Sequence, residues 1–328
     1  MGMRIVFMGS SAASAECLRA ILREASLEVV GVVTQPDRPA GRGKTLTACA
    51  CAEFAEKSGL KEIIKPENVN DQSALDRIRA WRPDVIAVVA YGQILKKSLL
   101  DMPLFGCVNC HFSLLPKYRG ASPVIAALEA GDRMTGVSVM RMGIGLDDGP
   151  IMLQSFEPIY PDTTGGDLMR DLAIAGGVTL AKALKLMSSN QLPPEAAQDH
   201  EHATYVRKLK KTDGLINWDS PVIEVERRIR AYNPWPCCYT FLPQRFRKKG
   251  NTGRLVIMRG EIAKLSPSEK EAPPGTVIRL EKRGPVVKCH DTALLIVDVK
   301  VEGGSRMDGG AFLRGRPLVL GEDRFVME

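Results

Sequence analysis

Residues 84–92 read DVIAVVAYG, and residues 106–112, a little further along the chain, read GCVNCHF. The first stretch is a continuous apolar run without the alternation of polar and apolar residues that a solvent-exposed face would impose. Such a run is typical of a strand that is covered on both faces, as the strands of parallel sheets are. The second stretch predicts a neighbouring strand, so the two together indicate an α/β fold.

Strands and helices alternate through the first half of the chain. The pattern predicts further strands at MRIVFMG, EVVGVVT and EIIKP, and helices at SAECLRAILREA, ACAEFAEKSG and QSALDRIRAWRP. This repetition predicts a doubly wound, mostly parallel sheet whose functional groups lie at the carboxyl ends of the strands. The first turn, GSSAAS, lacks the G-x-G-x-x-G of a dinucleotide site, so no nicotinamide cofactor is expected. Ser10 and Ser11 in this turn are predicted to cap the next helix.

The later part of the chain is organised differently. A long helical stretch at residues 167–190 closes the first domain, and a connector with a Pro pair and mixed charge follows it. After an amphipathic helix at 222–232, short β-rich runs separated by turn residues predict a small barrel, similar to an OB fold. We therefore predict a catalytic domain at residues 1–200, a linker at 201–220 and a basic barrel domain at 221–328.

Composition excludes several classes of protein. Of the 328 residues, 45% are hydrophobic and 25% are charged, which is ordinary for a globular protein. The chain has no apolar run of about 20 residues and no secretory signal, so a cytoplasmic location is expected. Cys107 and Cys110 have CxxC spacing, but side chains three apart on a strand point to opposite faces. Free thiols, with no metal, are therefore expected from the eight cysteines.

Positive charge is concentrated in the last part of the chain. Residues 1–200 contain 21 Lys and Arg against 22 Asp and Glu, whereas residues 201–328 contain 24 against 16. A net charge of +8 on the second segment suggests a module that binds a polyanion, and nucleic acid is the obvious candidate. The alternative is a basic surface that serves only solubility.

Polar residues interrupt the second quoted stretch at its end. Asn109 and His111 are two positions apart, so on a strand their side chains share a face. An amide can donate to a developing oxyanion, an imidazole can move a proton, and a carboxylate such as Asp147 can orient that imidazole. Because no nucleophilic serine elbow is present, this set favours direct attack by a substrate amine. Alternatively, His111 is a core histidine and Asp147 belongs to an ordinary Asp-Gly turn.

The motif VNCHFSLLPKYRGASP, with LDDGPI downstream, resembles the signature of the folate-dependent formyltransferases. The remaining motifs resemble the branch of that family whose acceptor is initiator Met-tRNA, and they occur in the same order; these are VVTQPDRPAGRGK, VVAYGQIL, TYVRKLKKTDGLINW and RIRAYNPWP. The resemblance implies a transferase of translation initiation, in which the methionyl α-amine attacks the formyl carbon of 10-formyltetrahydrofolate. Asn109 would bind the oxyanion, His111 would act as acid and base, and Asp147 would hold His111 in place.

The resemblance also implies two sets of binding residues. An apolar slot suited to a flat heterocycle would bind the folate through Ser113, Leu114, Leu115, Pro116, Tyr91, Gly92, Ile94, Leu95 and Leu146. The tRNA would be bound by Arg38, Arg42, Lys44, Arg207, Lys208, Lys210 and Lys211. The first three cations lie in PDRPAGRGK, where two Pro and two Gly predict an irregular loop that enters the acceptor end.

The sequence departs from the family pattern at three places, one of which is the C-terminal barrel, whose match is only diffuse and gives no individual tRNA contacts. GSSAA replaces the usual G-T-P-x-F after the first strand, which leaves the grip on the methionyl side chain undefined. Phe112 stands where the family often has glycine, and it should point away from Asn109 and His111. Two other functions stay open: a formyltransferase acting on glycinamide ribotide or an amino sugar, and an RNA-binding protein on a degenerate enzyme fold.

Overall fold

The structure is a computed structural model that describes residues 2–40, 45–247 and 252–326. The chain forms two compact units. The first unit comprises Met1–Pro123, Arg133–Ile159 and Leu168–Arg207, and the second comprises Val124–Asp132, Tyr160–Asp167 and Lys208–Glu328. The domain boundaries that the sequence suggests, after residues 200 and 220, remain a prediction.

Strands and helices alternate up to residue 207, as the hydrophobic pattern predicts. The elements are β1 Met3–Gly9, α1 Ala12–Ile21, β2 Leu27–Val33, β3 Arg38–Ala40, β4 Thr45–Thr47, α2 Ala50–Lys57, β5 Ile63–Ile64, α3 Gln72–Ala80, β6 Val85–Val89, α4 Lys97–Leu100, β7 Cys107–His111, β8 Arg119–Gly120, α5 Pro123–Ala130, β9 Met134–Arg141, β10 Ile151–Pro158, α6 Gly165–Ser188 and β11 Tyr205–Val206.

The main sheet has seven strands in the order β10-β9-β7-β6-β1-β2-β5. The five strands from β7 to β5 are parallel, and β9 is antiparallel to both of its neighbours. All five residues of β6 are buried, because the sheet is covered on both faces. The predicted doubly wound, mostly parallel sheet is confirmed, and the carboxyl ends of β1, β6 and β7 meet at one edge.

The turn after β1 is built from serines, only one of which caps α1. The side chain of Ser11 accepts a hydrogen bond from the main-chain N of Ser14, as a helix N-cap does. The prediction for Ser10 was wrong: its hydroxyl donates to the carbonyl oxygen of Tyr91 at 3.2 Å and accepts from the main-chain N of Gln35 at 3.0 Å. Ser10 therefore ties together the segments that follow β1, β2 and β6.

The segment PDRPAGRGK is more regular than its composition predicts. Residues Arg38–Ala40 pair with Thr45–Thr47, just after the segment, as a two-stranded antiparallel ribbon, so the prediction of an irregular loop was wrong for residues 38–40. Pro39 is tolerated because a two-stranded ribbon consists only of edge strands, where a missing N–H is acceptable. Residues 41–44, with Arg42 and Lys44, lie outside the described residues.

The second unit contains an antiparallel sheet. Its elements after residue 207 are α7 Val222–Ala231, β12 Cys238–Phe241, β13 Arg254–Ala263, β14 Val277–Glu281, β15 Gly284–Lys288, β16 Ala293–Val301, β17 Arg306–Asp308 and α8 Gly309–Gly315. The strand order is β12-β13-β16-β15-β14, with β17 beside β16. Residues near the carboxyl end bridge both edges, since Val326 pairs with Phe241 and Arg324 pairs with Thr276. This closure agrees with the predicted small barrel.

Most of the cysteines lie in the core. All eight are unpaired, and six of them are buried. Burial raises the pKa of the Cys107 and Cys289 thiols to about 12, so both stay protonated near neutral pH. Among the described residues, no group of three His, Cys, Asp or Glu side chains could hold a metal ion. In that part of the chain, no helix is both long and apolar enough to cross a membrane.

Candidate active site

Three side chains predicted as catalytic meet at the carboxyl edge of the sheet. Asn109 and His111 lie two positions apart on β7, so they leave the strand on the same face. Asp147 contacts both: its Oδ1 accepts a hydrogen bond from Nδ2 of Asn109 at 3.4 Å, and its Oδ2 lies 3.7 Å from Nδ1 of His111. An amide, an imidazole and a carboxylate therefore meet, although 38 positions separate Asn109 from Asp147.

The main chain holds the other side of the His111 ring. Its Nε2 lies 2.9 Å from the carbonyl oxygen of Tyr118, and because a carbonyl only accepts, Nε2 donates in this contact. The opposite nitrogen, Nδ1, then faces the carboxylate of Asp147. Only 6% of His111 is exposed. The ring therefore has one orientation, set by a carbonyl at one nitrogen and a carboxylate at the other.

A strained turn presents the carboxylate of Asp147. Its φ of +50° lies in the left-handed region, which few non-glycine residues adopt. Its Oδ2 accepts a further hydrogen bond from the main-chain N of Gly120, at 2.8 Å. Gly149 closes the turn, and a Cβ there would lie 1.9 Å from the carbonyl oxygen of Arg141. The L-D-x-G pattern thus requires glycine because the turn lies directly against β9.

The segment Ser113–Pro116, predicted to bind folate, is fixed to β9 by one buried hydroxyl. Ser138 donates to the carbonyl oxygen of Ser113 at 2.7 Å and accepts from the main-chain N of Leu115 at 3.0 Å. Gln154 donates to the same hydroxyl at 2.8 Å. Ser138 is not among the residues predicted from the sequence, although its hydroxyl interrupts the apolar run VSVM of β9 and is a visible signal.

The other residues predicted to bind folate fall into two groups. Tyr91 and Leu95 are buried and belong to the core beneath the strand ends. Gly92, Ile94 and Leu146 are exposed, with 86% of Ile94 and 60% of Leu146 accessible. The second group is open to solvent, whereas the first is part of the core. The hydroxyl of Tyr91 has no hydrogen-bond partner in the part of the chain that is described.

The predicted tRNA-binding cations that the structure describes lie on exposed segments. Arg38 is exposed on β3, where its guanidinium pairs with Glu67 at 2.7 Å. The four cations of the connector are also exposed; they are Arg207, Lys208, Lys210 and Lys211. Arg207 belongs to the first unit and the other three to the second. All of these side chains are accessible to solvent, and their role in binding tRNA phosphates stays a prediction.

The chain belongs to the formyl transferase family. The family described as formyl transferase matches residues 3–184, and its C-terminal domain matches residues 208–317. Relatives in Magnetococcus marinus and in Pseudomonas putida strain W619 are named methionyl-tRNA formyltransferase and are 40% and 41% identical to this chain. The first alignment covers 97% of both chains and the second covers 93% of both.

Solved structures share the fold at low sequence identity. The sugar 3N-formyl transferase WlaRD superimposes with a TM-score of 0.61 at 17% identity, over 92% of this chain and 98% of that one. HypX from Aquifex aeolicus, solved with tetrahydrofolic acid, gives a TM-score of 0.59 at 14% identity, over 95% of this chain and 47% of that one. These likenesses show the fold alone.

Gly120 is a site where added bulk should disturb catalysis. Its φ is +109°, and a Cβ would lie 2.3 Å from the carbonyl oxygen of Val206 on β11. We expect Gly120→Ala to push β8 away from β11. The main-chain N–H of residue 120 would then no longer donate its hydrogen bond to Oδ2 of Asp147. The loss should be about 10²-fold in kcat, the usual cost of an ångström-scale displacement of a reacting group.

Gly303→Ala is the matched control for this measurement. Gly303 also has a positive φ, of +74°, but a Cβ there would meet nothing within 4 Å. The control therefore carries the backbone strain without the steric clash. Steady-state kinetics and thermal melts of both variants separate the two effects. Equal kcat values in the two variants would show that Gly120 does not support the geometry of the site.

Proposed function

We propose that this enzyme transfers the formyl group of 10-formyltetrahydrofolate to the α-amino group of methionine on initiator Met-tRNA. The observation that carries the proposal is the convergence of Asn109, His111 and Asp147 at the carboxyl edge of the sheet. The named relatives support the choice of acceptor, because they match nearly the whole chain, including its basic second segment.

The geometry supports direct attack by the methionyl amine. The amine nitrogen forms a bond to the formyl carbon, and the bond from that carbon to the folate nitrogen breaks. Asn109 donates an N–H to the oxyanion that develops on the formyl oxygen. His111 takes a proton from the attacking nitrogen at Nδ1, because Nε2 already donates to Tyr118, and returns it to the folate nitrogen that leaves. Asp147 keeps the imidazole in the orientation that the contact with Tyr118 also selects.

The residues exposed near the carboxyl edge of the main sheet suit the binding of a folate. The exposed apolar side chains of Ile94 and Leu146 suit the faces of a flat heterocycle. The exposed main chain of Gly92 suits its hydrogen-bonding rim, and the segment Ser113–Pro116, which Ser138 fixes to β9, would form the wall behind it. We propose these residues as the folate site, with Tyr91 and Leu95 as the core that supports them.

The proposal divides the chain into residues 1–200 for chemistry, a linker at 201–220 and residues 221–328 for tRNA. The barrel would hold the acceptor stem by charge and shape, as helical RNA offers few base edges to read. The concentration of positive charge after residue 200 supports this division. Because Met-tRNA is the acceptor, the enzyme would act in the cytoplasm.

A single competition assay tests the proposal. Purified enzyme is given 10-formyltetrahydrofolate with Met-tRNA and glycinamide ribotide together, and both formylated products are measured. We expect formylmethionyl-tRNA as the main product. Preferential formylation of glycinamide ribotide, or no transfer to either acceptor, would refute the proposed function.

We expect Arg42→Ala to weaken productive use of Met-tRNA. Arg42 lies outside the described residues, and its role rests on the PDRPAGRGK motif. Losing one phosphate contact should raise KM for Met-tRNA about tenfold and reduce the salt slope of binding by about one. KM measured from low to moderate salt checks both. Arg23→Ala, at an exposed arginine after α1, is the control. Unchanged KM and salt slope would exclude Arg42 from tRNA binding.

A further inference from the structure

The segment before residue 200 lies along the edge of the main sheet. Arg141, at the end of β9, donates from Nε to both carboxylate oxygens of Glu195 at 3.0 and 3.1 Å. Ala196 exchanges two main-chain hydrogen bonds of 2.8 Å with Ile151, the first residue of β10. These contacts fix the segment two residues before it reaches the turn that carries Asp147. It therefore delivers its next buried side chain, Gln198, at a defined place.

Gln198 makes four short polar contacts with two parts of the site. Its Nε2 donates to the carbonyl oxygens of Asp147 at 2.9 Å and Gly149 at 2.7 Å. Its Oε1 accepts from Nε and an Nη atom of Arg119, at 3.1 and 2.8 Å. Gln198 is 6% exposed and Arg119 is 1% exposed. The buried amide of Gln198 therefore uses both of its N–H groups and its oxygen to connect the turn that carries Asp147 with β8.

Other hydrogen bonds fix the position of Arg119, so its guanidinium can fix the orientation of the Gln198 amide. A second Nη atom donates to the hydroxyl of Tyr205 at 3.0 Å, and Nδ1 of His200 accepts at 3.3 Å. The main-chain N of Arg119 donates to the carbonyl oxygen of Thr204 at 2.8 Å. A guanidinium with this many partners has a single position in the structure, and it determines which end of the Gln198 amide is the acceptor.

The turn that Gln198 spans cannot be stable on its own. A φ of +50° at Asp147 is a strained conformation for a residue other than glycine, and it persists only where the surroundings impose it. Gln198 binds the carbonyls on either side of Asp148, which closes the turn across its width. Released from this clamp, Asp147 would relax, and its carboxylate would leave Nδ1 of His111 and Nδ2 of Asn109.

We propose that Gln198 is a positioning residue for formyl transfer, which holds the Asp147 turn in the conformation that aligns the catalytic carboxylate. The inference rests on the proposed function for the identity of the acceptor. Gln198 touches neither His111 nor a reacting atom in this arrangement, and it acts through Asp147. Only an amide serves here, because the site needs two donors at one end and an acceptor at the other.

Gln198→Glu tests this role with little change in shape. The new carboxylate accepts from Arg119 as the amide oxygen does, and it adds an ion pair, so the fold should persist. It has no N–H for the carbonyls of Asp147 and Gly149, and it repels both. We expect kcat per folded molecule to fall about 100-fold, with KM for both substrates within about threefold. A merely structural role would leave kcat per folded molecule unchanged.

Gln191→Glu is the matched control, because Gln191 is exposed on the same segment and its side chain accepts a hydrogen bond that a carboxylate also accepts. Its kcat should equal that of the wild type. If Gln198→Glu lowers Tm by more than about 5 °C, Gln198→Met is measured in the same way, since methionine keeps the length without the hydrogen bonds. A kcat per folded molecule within about threefold of wild type in the variant measured overturns the inference.

The wild type separates this inference from the proposed function. No transfer to Met-tRNA by the wild type refutes the function, whereas the ratio of variant to wild type tests Gln198. If the wild type formylates another amine, the ratio is measured with that amine. A fall of about 100-fold there still supports the positioning role.

Discussion

His111→Ala should reduce kcat for formyl transfer by about 10³-fold while the affinity for Met-tRNA stays unchanged. General acid–base catalysis by a placed side chain contributes about 10²–10⁴-fold. In the proposed mechanism, His111 both accepts the proton from the attacking amine and supplies one to the leaving nitrogen. The ring is buried at the strand end, so its removal changes no exposed phosphate-binding surface.

Single-turnover kinetics and filter binding of Met-tRNA measure the two quantities separately. His202→Ala is the matched control, because this histidine is exposed and its ring contacts only Asp199 among the hydrogen bonds described. The control should keep full activity. Turnover comparable to wild type in His111→Ala would mean that the imidazole is not the proton carrier.

The catalytic strand could be predicted from sequence because its signal is local. Strand geometry alone places Asn109 and His111 on one face, and an apolar run alone identifies β6 as a buried parallel strand. Asp147 follows only with help from the family motif, since 38 positions separate it from Asn109. No periodicity connects two segments that meet through the order of strands in a sheet.

The supporting residues could not be predicted, for the same physical reason. Arg119 and Gln198 are polar residues in loop-like sequence, where exposure is the usual expectation. Arg119 is buried where β8 pairs in parallel with β11, which brings residues 119–120 against 205–206, and Gln198 is buried against the Asp147 turn and Arg119. A two-residue strand pair has no hydrophobic pattern to reveal it. The Ser10 contact with Tyr91 is another case, because a serine before a helix is normally a cap.

Which side chains are exposed could not be predicted from the sequence either. The family pattern groups Tyr91, Ile94 and Leu95 as one pocket, yet Tyr91 and Leu95 are core residues and Ile94 is 86% exposed. A short irregular segment such as residues 91–95 has neither the period of a strand nor that of a helix. Which of its apolar residues turn inward depends on the core beneath, here α4 and the end of β6.

A loss at least as large as that of His111→Ala is expected from Asp147→Asn. Two donors and the His111 ring converge on this carboxylate: Nδ2 of Asn109 at Oδ1, and the N–H of Gly120 with Nδ1 of His111 at Oδ2. An asparagine offers one acceptor and one NH2 group. In either orientation its NH2 faces a donor, and the negative charge beside the imidazole is lost.

We therefore expect kcat to fall about 10³–10⁴-fold, the scale found when a carboxylate that orients a catalytic imidazole becomes an amide. Asp148→Asn is the matched control, since it makes the same change one residue later in the same turn. The family pattern L-D-x-G and the contacts of Asp147 both assign catalysis to the first acid, so Asp148→Asn should cost less than about tenfold. Steady-state kcat with Met-tRNA, measured for both variants against thermal stability, decides between them. A larger loss in Asp148→Asn than in Asp147→Asn would reverse the assignment, and it would also remove the basis for a positioning role of Gln198.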